Sequence, residues 1–357
     1  MKILLDHQIF SVQEYGGVSK LFAELYKNLK KMGVECEIPL VFSNNEYLKD
    51  KKIESLFKEI NFPGKLTLIR LINQFHTINY LKNGSFDVFH PTYFDDYFIK
   101  YLGNKPFVLT VYDLIHEKFY NDSIKLQPTL KSKRRLIQKA NKIISISQKT
   151  KNDLVDYYKI KPSKVEVIYP ANSLNLLTAE KYNVPSKYIL FVGSRKEYKN
   201  FDIVLQAMNG IENQTFLVCV GGRGFTHEEE QKMKRYKIRD RVIQLDVNDQ
   251  QLAYCYKNAK CFVFPSLYEG FGIPILEAFS CNCPVILSDI EVFREVAGNA
   301  ALYINPKSVD TLTVAINSVI NNEPLRDKKI KLGKKRLELY SWLKMAQETL
   351  KVYKSIT

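Results

Sequence analysis

Short apolar runs alternate with amphipathic stretches along the whole chain. The runs predict strands at Lys2–Asp6, Val34–Phe42, Phe86–His90, Phe107–Tyr112, Ile143–Ser147 and Val165–Tyr169. A second series follows at Tyr188–Val192, Thr215–Val220, Val242–Leu245, Cys261–Phe264, Val285–Leu287 and Ala301–Ile304. Many are continuous Val, Ile, Leu and Phe runs without alternation, the pattern of strands buried on both faces. Between them, apolar positions recur at helical spacing in Ser19–Met32, Leu130–Ala140, Lys149–Tyr158, Ile203–Asn209 and Pro274–Ser280. Strand alternating with helix predicts an α/β fold with parallel sheets and right-handed crossovers.

Twelve strands overfill one doubly wound sheet, so two sheets of about six are expected. The stretch from Tyr169 to Lys187, YPANSLNLLTAEKYNVPSK, carries two prolines and no periodicity, which marks a boundary. This predicts one domain over 1–170, a second over 171–338, and a C-terminal helix at about 339–357. Trp342, Leu343, Met345, Leu350 and Tyr353 on that tail need a surface to cover, and the helix is expected to pack back on the first domain. The start, MKILLDHQIF, turns polar too early for a leader and reads as a buried strand. No run of about 18 apolar residues predicts a membrane-spanning helix.

Composition adds little: 45% hydrophobic and 25% charged is ordinary for a globular chain. The six cysteines fall mostly in apolar runs such as CFVF and FLVCV, which suits reduced thiols better than a zinc site. Charge changes the picture more. The 357 residues hold 53 Lys and Arg against 38 Asp and Glu, a formal +15. Lys118–Lys164 alone has thirteen basic residues against three aspartates, +10. Such a field attracts nucleic acid, anionic membrane or phosphorylated ligands. A solvated basic surface explains it equally well. Nucleic acid is disfavoured, because the basic residues are not interleaved with aromatics in a known binding module.

Four segments can carry chemistry. Glu14-Tyr15-Gly16-Gly17-Val18-Ser19 follows the first strand and opens a helix, where backbone N–H groups can face an anion. Val192-Gly193-Ser194-Arg195-Lys196-Glu197-Tyr198-Lys199-Asn200 places a planar cation and a point cation past a strand end, with Asn200 set to cap the next helix. Two such cations at the carboxyl end of a parallel strand suit a diphosphate. Pro265–Ala278 runs from a strand through a glycine-bearing loop into a helix, with Glu269 before the loop, Pro274 at the helix start and Glu277 about one turn in. A carboxylate so placed can accept the two hydroxyls of a ribose. Thr110-Val111-Tyr112-Asp113-Leu114-Ile115-His116 sets a histidine just past a strand end, where it can donate to a sugar hydroxyl or act as an acid or base. Each also has a plain reading as a turn, an exposed charge or a structural histidine. The chain has no GxxxxGK[ST] loop, no HExxH and no GxSxG elbow.

Taken together, these segments resemble glycosyltransferase family 4, retaining nucleotide-sugar glycosyltransferases of GT-B architecture. Glu269–Glu277 is similar to the family's Glu-x7-Glu motif, VGSRKEYKN to its Arg-x-x-x-Lys diphosphate site, YGGVSK to its glycine loop, and TVYDLIHE to its histidine loop. The resemblance covers nearly the whole chain and implies two Rossmann-like domains facing across a cleft, the first for acceptor and the second for donor. It implies that Arg195 and Lys199 bind the donor diphosphate and Glu277 the ribose. Glu269 with the backbone of Gly270, Phe271 and Gly272 would hold the transferred sugar. His116 would touch that sugar, and Gly17 would lend an N–H to the phosphate. Tyr15, Gly16 and Asp113 are the expected acceptor contacts. His116, Glu269, Arg195 and Lys199 form the expected catalytic set, with no metal and no cofactor beyond the nucleoside-diphosphate sugar.

The expected activity is hexosyl transfer to a glycan or lipid-linked acceptor in bacterial surface polysaccharide synthesis. The expected place is the cytoplasm or the inner face of its membrane, with an anionic lipid surface as partner. An epimerase or phosphorylase of the same architecture is the alternative, and a basic nucleic-acid-binding protein a more distant one. Two departures bear on substrate choice. Tyr112-Asp113 stands where the family commonly has a histidine before the aspartate, and VIYPANS replaces an Asn-Gly type turn.

Overall fold

The computed structural model describes residues 1–48 and 62–357. These fall into two compact units, Met1–Pro170 with Trp342–Thr357, and Ala171–Ser341.

The first unit carries strands β1 (Lys2–Leu5), β2 (Glu35–Glu37), β3 (Val88–His90), β4 (Val108–Val111), β5 (Lys142–Ser145) and β6 (Val165–Val167). Its helices are α1 (Gln8–Val12), α2 (Gly17–Lys31), α3 (Lys65–Asn83), α4 (Ile115–Phe119), α5 (Gln127–Lys139) and α6 (Gln148–Tyr158), with a C-terminal Trp342–Lys354. All pairings are parallel, in the orders β2-β1-β3 and β4-β5-β6. One parallel bridge, Phe89 to Phe107, joins the two halves. The second unit has β7 (Tyr188–Val192), β8 (Phe216–Val220), β9 (Val242–Leu245), β10 (Cys261–Phe264), β11 (Val285–Ser288) and β12 (Ala301–Ile304). They form one parallel sheet in the order β12-β11-β10-β7-β8-β9. Its helices are α7 (Phe201–Ala207), α8 (His227–Arg235), α9 (Asp249–Asn258), α10 (Ile273–Ser280), α11 (Glu291–Ala297), α12 (Val309–Asn321) and α13 (Glu323–Leu337). The C-terminal Trp342–Lys354 is thus α14.

The expected strands all form, and the continuous apolar runs of β7 and β10 are buried throughout, whereas the two middle residues of β12 are only partly buried. The expectation for Val34–Phe42 is too long. Pro39 has no N–H to give a ladder, and the backbone turns instead onto a side chain. Asn73 Oδ1 accepts from Val41 N (2.9 Å) and Phe42 N (3.1 Å), and Asn73 Nδ2 donates to Phe42 O (2.7 Å). Helix α2 ends where Gly33 takes φ +74°, and Val34 N returns to Leu29 O at 3.0 Å, the closure glycine permits at a helix end. Ser147 caps α6 by accepting from Thr150 N at 2.9 Å.

Helix α14 packs on α2. Met345, Ala346, Val352 and Tyr353 are buried, whereas Leu343 stays exposed. Tyr353 Oη lies 2.6 Å from His90 Nδ1, and His90 Nε2 lies 2.9 Å from Thr110 Oγ1. This buried chain ties α14 to the ends of β3 and β4. Burial holds the His90 imidazole neutral, down at about 3.

Candidate functional site

In a parallel sheet, ligands meet the carboxyl ends of the strands. In the second unit this edge is built by the turns after β7, β8 and β10. Lys199 sits on a tight turn past β7, and Glu269 on the loop past β10. Lys199 Nζ meets Glu269 Oε1 at 2.6 Å, with the side chains 13% and 9% exposed. The ammonium also lies over the rings of Phe264 (4.8 Å) and Tyr198 (5.3 Å). Gly270, Phe271 and Gly272 carry the chain into α10. Gly272 has φ +104°, and a Cβ there would meet Ile275 Cδ1 at 3.0 Å and Phe293 Cε1 at 3.2 Å. Only glycine suits that position. Ile273 is the first helical residue and Pro274 the second, one place later than the sequence suggests. Glu277, on α10, accepts from Tyr256 Oη at 3.2 Å.

Asn200 departs from its expected role. It occupies the position before α7 with φ +55° and makes no side-chain cap. Its Nδ2 donates instead to Pro265 O (3.1 Å) and Pro306 O (2.7 Å), which ties the β7 turn to the ends of β10 and β12.

Arg195 is also engaged differently from Lys199. Its Nε donates to Glu229 Oε1 at 2.8 Å. Its Nη1 donates to Gln244 Oε1 (2.8 Å) and Gly221 O (3.3 Å). Its Nη2 donates to Arg223 O (2.5 Å) and Gly224 O (3.1 Å). The sequence reading missed this turn, Gly221-Gly222-Arg223-Gly224, and its helix start. Two signals were available: a glycine pair at a strand end, and Thr226-x-x-Glu229. The latter forms a full capping box on α8.

In the first unit, Tyr15 is exposed and its ring meets Tyr47 edge-on at 6.3 Å. Gly16 precedes α2 and Gly17 opens it. A Cβ on Gly16 would lie 2.3 Å from Gln13 Oε1, so a larger residue there would have to displace the end of the Gln13 side chain. Asp113 lies past β4 and its Oδ1 accepts from Ile115 N at 2.9 Å, which starts α4. His116 is the second residue of α4 and half-buried.

What fixes that segment was not anticipated. Lys133 and Glu117 form an ion pair at 2.8 Å with both side chains 1% exposed. Lys133 Nζ also donates to Asp113 O at 2.8 Å, and Tyr158 Oη donates to Glu117 Oε1 at 2.6 Å. A second buried cluster holds the β1 end. Asp6 accepts from Thr92 N (2.8 Å), Thr92 Oγ1 (2.7 Å) and Gln8 Nε2 (2.7 Å). Burial pushes the Asp6 carboxyl up.

Two family models match this chain in tandem. "Glycosyltransferase Family 4" covers residues 15–174, and "Glycosyl transferases group 1" covers residues 178–336. The chain belongs to glycosyltransferase family 4. It is 32% identical to the O-antigen chain mannosyltransferase B of Escherichia coli over 192 residues, 52% of this chain and 50% of that protein. The match thus spans about half the length of that relative. Among solved structures, the sucrose-phosphate synthase of Thermosynechococcus elongatus superposes with a TM-score of 0.76 at 20% identity, covering 99% of this chain and 98% of the other. HepE of Anabaena, solved with UDP-glucose, superposes with a TM-score of 0.70 at 16% identity, covering 99% and 100%. The fold is that of the GT-B glycosyltransferases.

Proposed function

We propose that this protein is a retaining, metal-independent glycosyltransferase. It would move a hexosyl group from a nucleoside-diphosphate sugar to a glycan or lipid-linked acceptor of a bacterial surface polysaccharide. The observation that carries the reading is the Lys199–Glu269 pair at the carboxyl edge of the second sheet, beside the start of α10. Breaking the anomeric carbon–oxygen bond puts positive charge on the sugar and negative charge on the diphosphate. An ammonium and a helix start are suited to the second, and a carboxylate to the sugar's hydroxyls. The O-antigen mannosyltransferase relative favours mannose, and the UDP-glucose complex of HepE favours a nucleoside-diphosphate donor.

In this reading the second unit, 171–338, binds donor and the first, 1–170 with the C-terminal helix from about 339, binds acceptor. Lys199 faces the diphosphate, with Arg195 supporting the same pocket. Glu269 and the backbone of Gly270–Gly272 hold the sugar, and Glu277 the ribose. The family resemblance assigns His116 to the sugar hydroxyls and Gly17 N–H to the phosphate. Tyr15, Gly16 and Asp113 are assigned to the acceptor. The acceptor oxygen bonds to the anomeric carbon on the face the diphosphate leaves. The electron pair of the broken bond goes to the leaving phosphate oxygen, which takes the acceptor proton.

The test is calorimetric titration with UDP, GDP, ADP, CMP and dTDP in EDTA, followed by transfer from the matching sugar nucleotide. One diphosphate is expected to bind without metal, and NMR of the product should show the donor's anomeric configuration. Failure of all five to bind would overturn the donor site. An inverted product would overturn the retaining mechanism.

We also propose that the first unit rests on an anionic membrane. The basic stretch 118–164 contributes, though Lys133 is buried and unavailable to it. Helix α3 supplies an apolar face. Ile69, Asn73, Thr77 and Leu81 are its buried stripe, whereas Leu71 and Phe75 are 53% and 76% exposed. The helix has exposed Arg70 and Lys82, while Lys65 is buried, and it has no acidic residue. An apolar face with cationic flanks suits an anionic lipid surface. Among the described residues no helix is long and apolar enough to cross a membrane. Binding to phosphatidylglycerol vesicles is expected to weaken with salt, and more than about tenfold in Leu71→Glu/Phe75→Glu, since each side chain contributes roughly 1.5–3 kcal/mol on burial. Absent or salt-independent binding would remove the membrane proposal.

A further inference from the structure

We infer that Arg195 is a positioning residue. It holds the Gly221–Gly224 turn from behind, so that backbone N–H groups of this turn, and not the guanidinium, meet the donor phosphates. The inference rests on the donor reading of the second unit and departs from the direct diphosphate contact that the family resemblance implies.

A guanidinium has five N–H donors. Here they serve five acceptors: the Glu229 carboxylate, the Gln244 amide, and the carbonyls of Gly221, Arg223 and Gly224. The side chain is 5% exposed. It is also set against the rings of Phe225, at 4.8 Å, and Phe201, at 5.7 Å. To grip a diphosphate it would have to abandon charge-assisted and carbonyl contacts already made, in a setting shielded from water.

The direction of those carbonyls has a consequence. No peptide bond in the described chain is cis. In a planar trans peptide, C=O and the following N–H point in opposite directions. Carbonyls of Gly221, Arg223 and Gly224 aimed at Arg195 therefore turn the N–H groups of Gly222, Gly224 and Phe225 away from it. The turn can do this because Gly221 and Gly222 take φ +82° and +75°, a region glycine enters without strain. N–H groups freed from the guanidinium in such a turn are the donors an anion cradle uses.

The clamp reaches further. Glu229 Oε2 accepts from Thr226 N at 2.7 Å, so the carboxylate that holds Arg195 also caps α8. Gln244, on β9, donates to Gly221 O at 3.0 Å. Gly221 lies against Gly193, so that a Cβ on Gly221 would fall 3.5 Å from Gly193 Cα, and Gly193 N donates to Val220 O at 2.8 Å. One guanidinium thus joins the turns after β7 and β8 to β9 and the start of α8.

The two roles of Arg195 predict opposite signs for one variant. Glu229→Gln keeps the side chain's size and its capping-box competence, but removes the negative charge that competes for the guanidinium. If Arg195 touched phosphate, the variant would bind donor as well as wild type or better. If Arg195 positions the turn, loosening its clamp weakens binding. Calorimetry on the full chain with UDP and GDP, each compared with its nucleoside, tests this. We expect Glu229→Gln to weaken the diphosphate that wild type binds about tenfold and to leave the nucleoside's own binding enthalpy and the thermal midpoint nearly unchanged. Arg195→Lys should be as poor as Arg195→Ala, because a point cation cannot serve five acceptors. Near-wild-type binding by Arg195→Lys, or unchanged or tighter binding by Glu229→Gln, would overturn the positioning role while leaving the donor reading intact. If wild type binds neither diphosphate nor any other of the five, the donor reading fails and this inference with it.

Discussion

Lys199→Ala is expected to lower kcat for sugar transfer about 10²–10³-fold, the range seen when a preorganised donor to developing negative charge is removed. Nucleoside-diphosphate affinity should fall as well. The ammonium is held 2.6 Å from Glu269 and over two aromatic rings, so it has little freedom to lose when charge develops on the leaving group. A cation already fixed in place needs no reorganisation at that moment, and in a shielded site its field is weakly screened. The variant also leaves the Glu269 carboxylate without its counter-charge in a largely buried position. For that reason Glu269→Gln is the informative companion. It keeps the oxygen that can accept from a sugar hydroxyl and frees the ammonium. It should retain diphosphate binding while losing kcat, whereas Lys199→Ala loses both. Steady-state kinetics with the donor found by titration would show the split. A Lys199→Ala enzyme within twofold of wild type in kcat would mean that the leaving group is stabilised elsewhere.

The strands were legible because the physics that forms them is local in sequence. Tyr188–Val192 and Cys261–Phe264 are wholly apolar and wholly buried, and no surface helix has that pattern. Helix α3 was not legible. It carries apolar residues on its buried and on its exposed side, so no single stripe announces it. Helix α8 is nearly all polar, His227–Arg235 with Met233 its one buried residue, and its signature is its cap. Pro39 was visible and its consequence for β2 could have been drawn.

The polar contacts of the site were hidden for a different reason. Lys199 and Glu269 are 70 positions apart, Arg195 and Glu229 are 34 apart, and Lys133 and Glu117 are 16 apart. Spacing identified which residue types could serve an anion or a sugar, because that follows from strand ends and helix starts. It did not say which partner each side chain would take. Arg195 illustrates this: its place past a strand end did not announce Glu229, Gln244 and three turn carbonyls as its acceptors. Lys133 is a second case, since within a basic stretch it reads as solvated surface and lies in the interior.

Lys133→Met should destabilise the first unit by about 3–5 kcal/mol, the cost of leaving one member of a buried ion pair without its partner. For a unit of this size that is a fall of about 10 °C in the thermal midpoint. Glu117 keeps Tyr158 Oη but loses its ion-pair partner in a site with 1% exposure, and Asp113 O loses the Lys133 ammonium. Adding Glu117→Gln removes the uncompensated charge and still offers an oxygen to Tyr158. The double variant is therefore expected to recover most of the lost stability. Activity should not recover in parallel. Lys133 anchors the Asp113 carbonyl as well as Glu117, so it sets both the start of α4 and its side, and His116 lies between those two anchors. A stable double variant with a depressed kcat would separate the role of the pair in folding from its role in holding His116. Calorimetric unfolding beside the transfer assay distinguishes the outcomes. A single variant that unfolds with wild type would show that the pair adds nothing to stability, and a fully active double variant would show that the segment around His116 is set by its backbone alone.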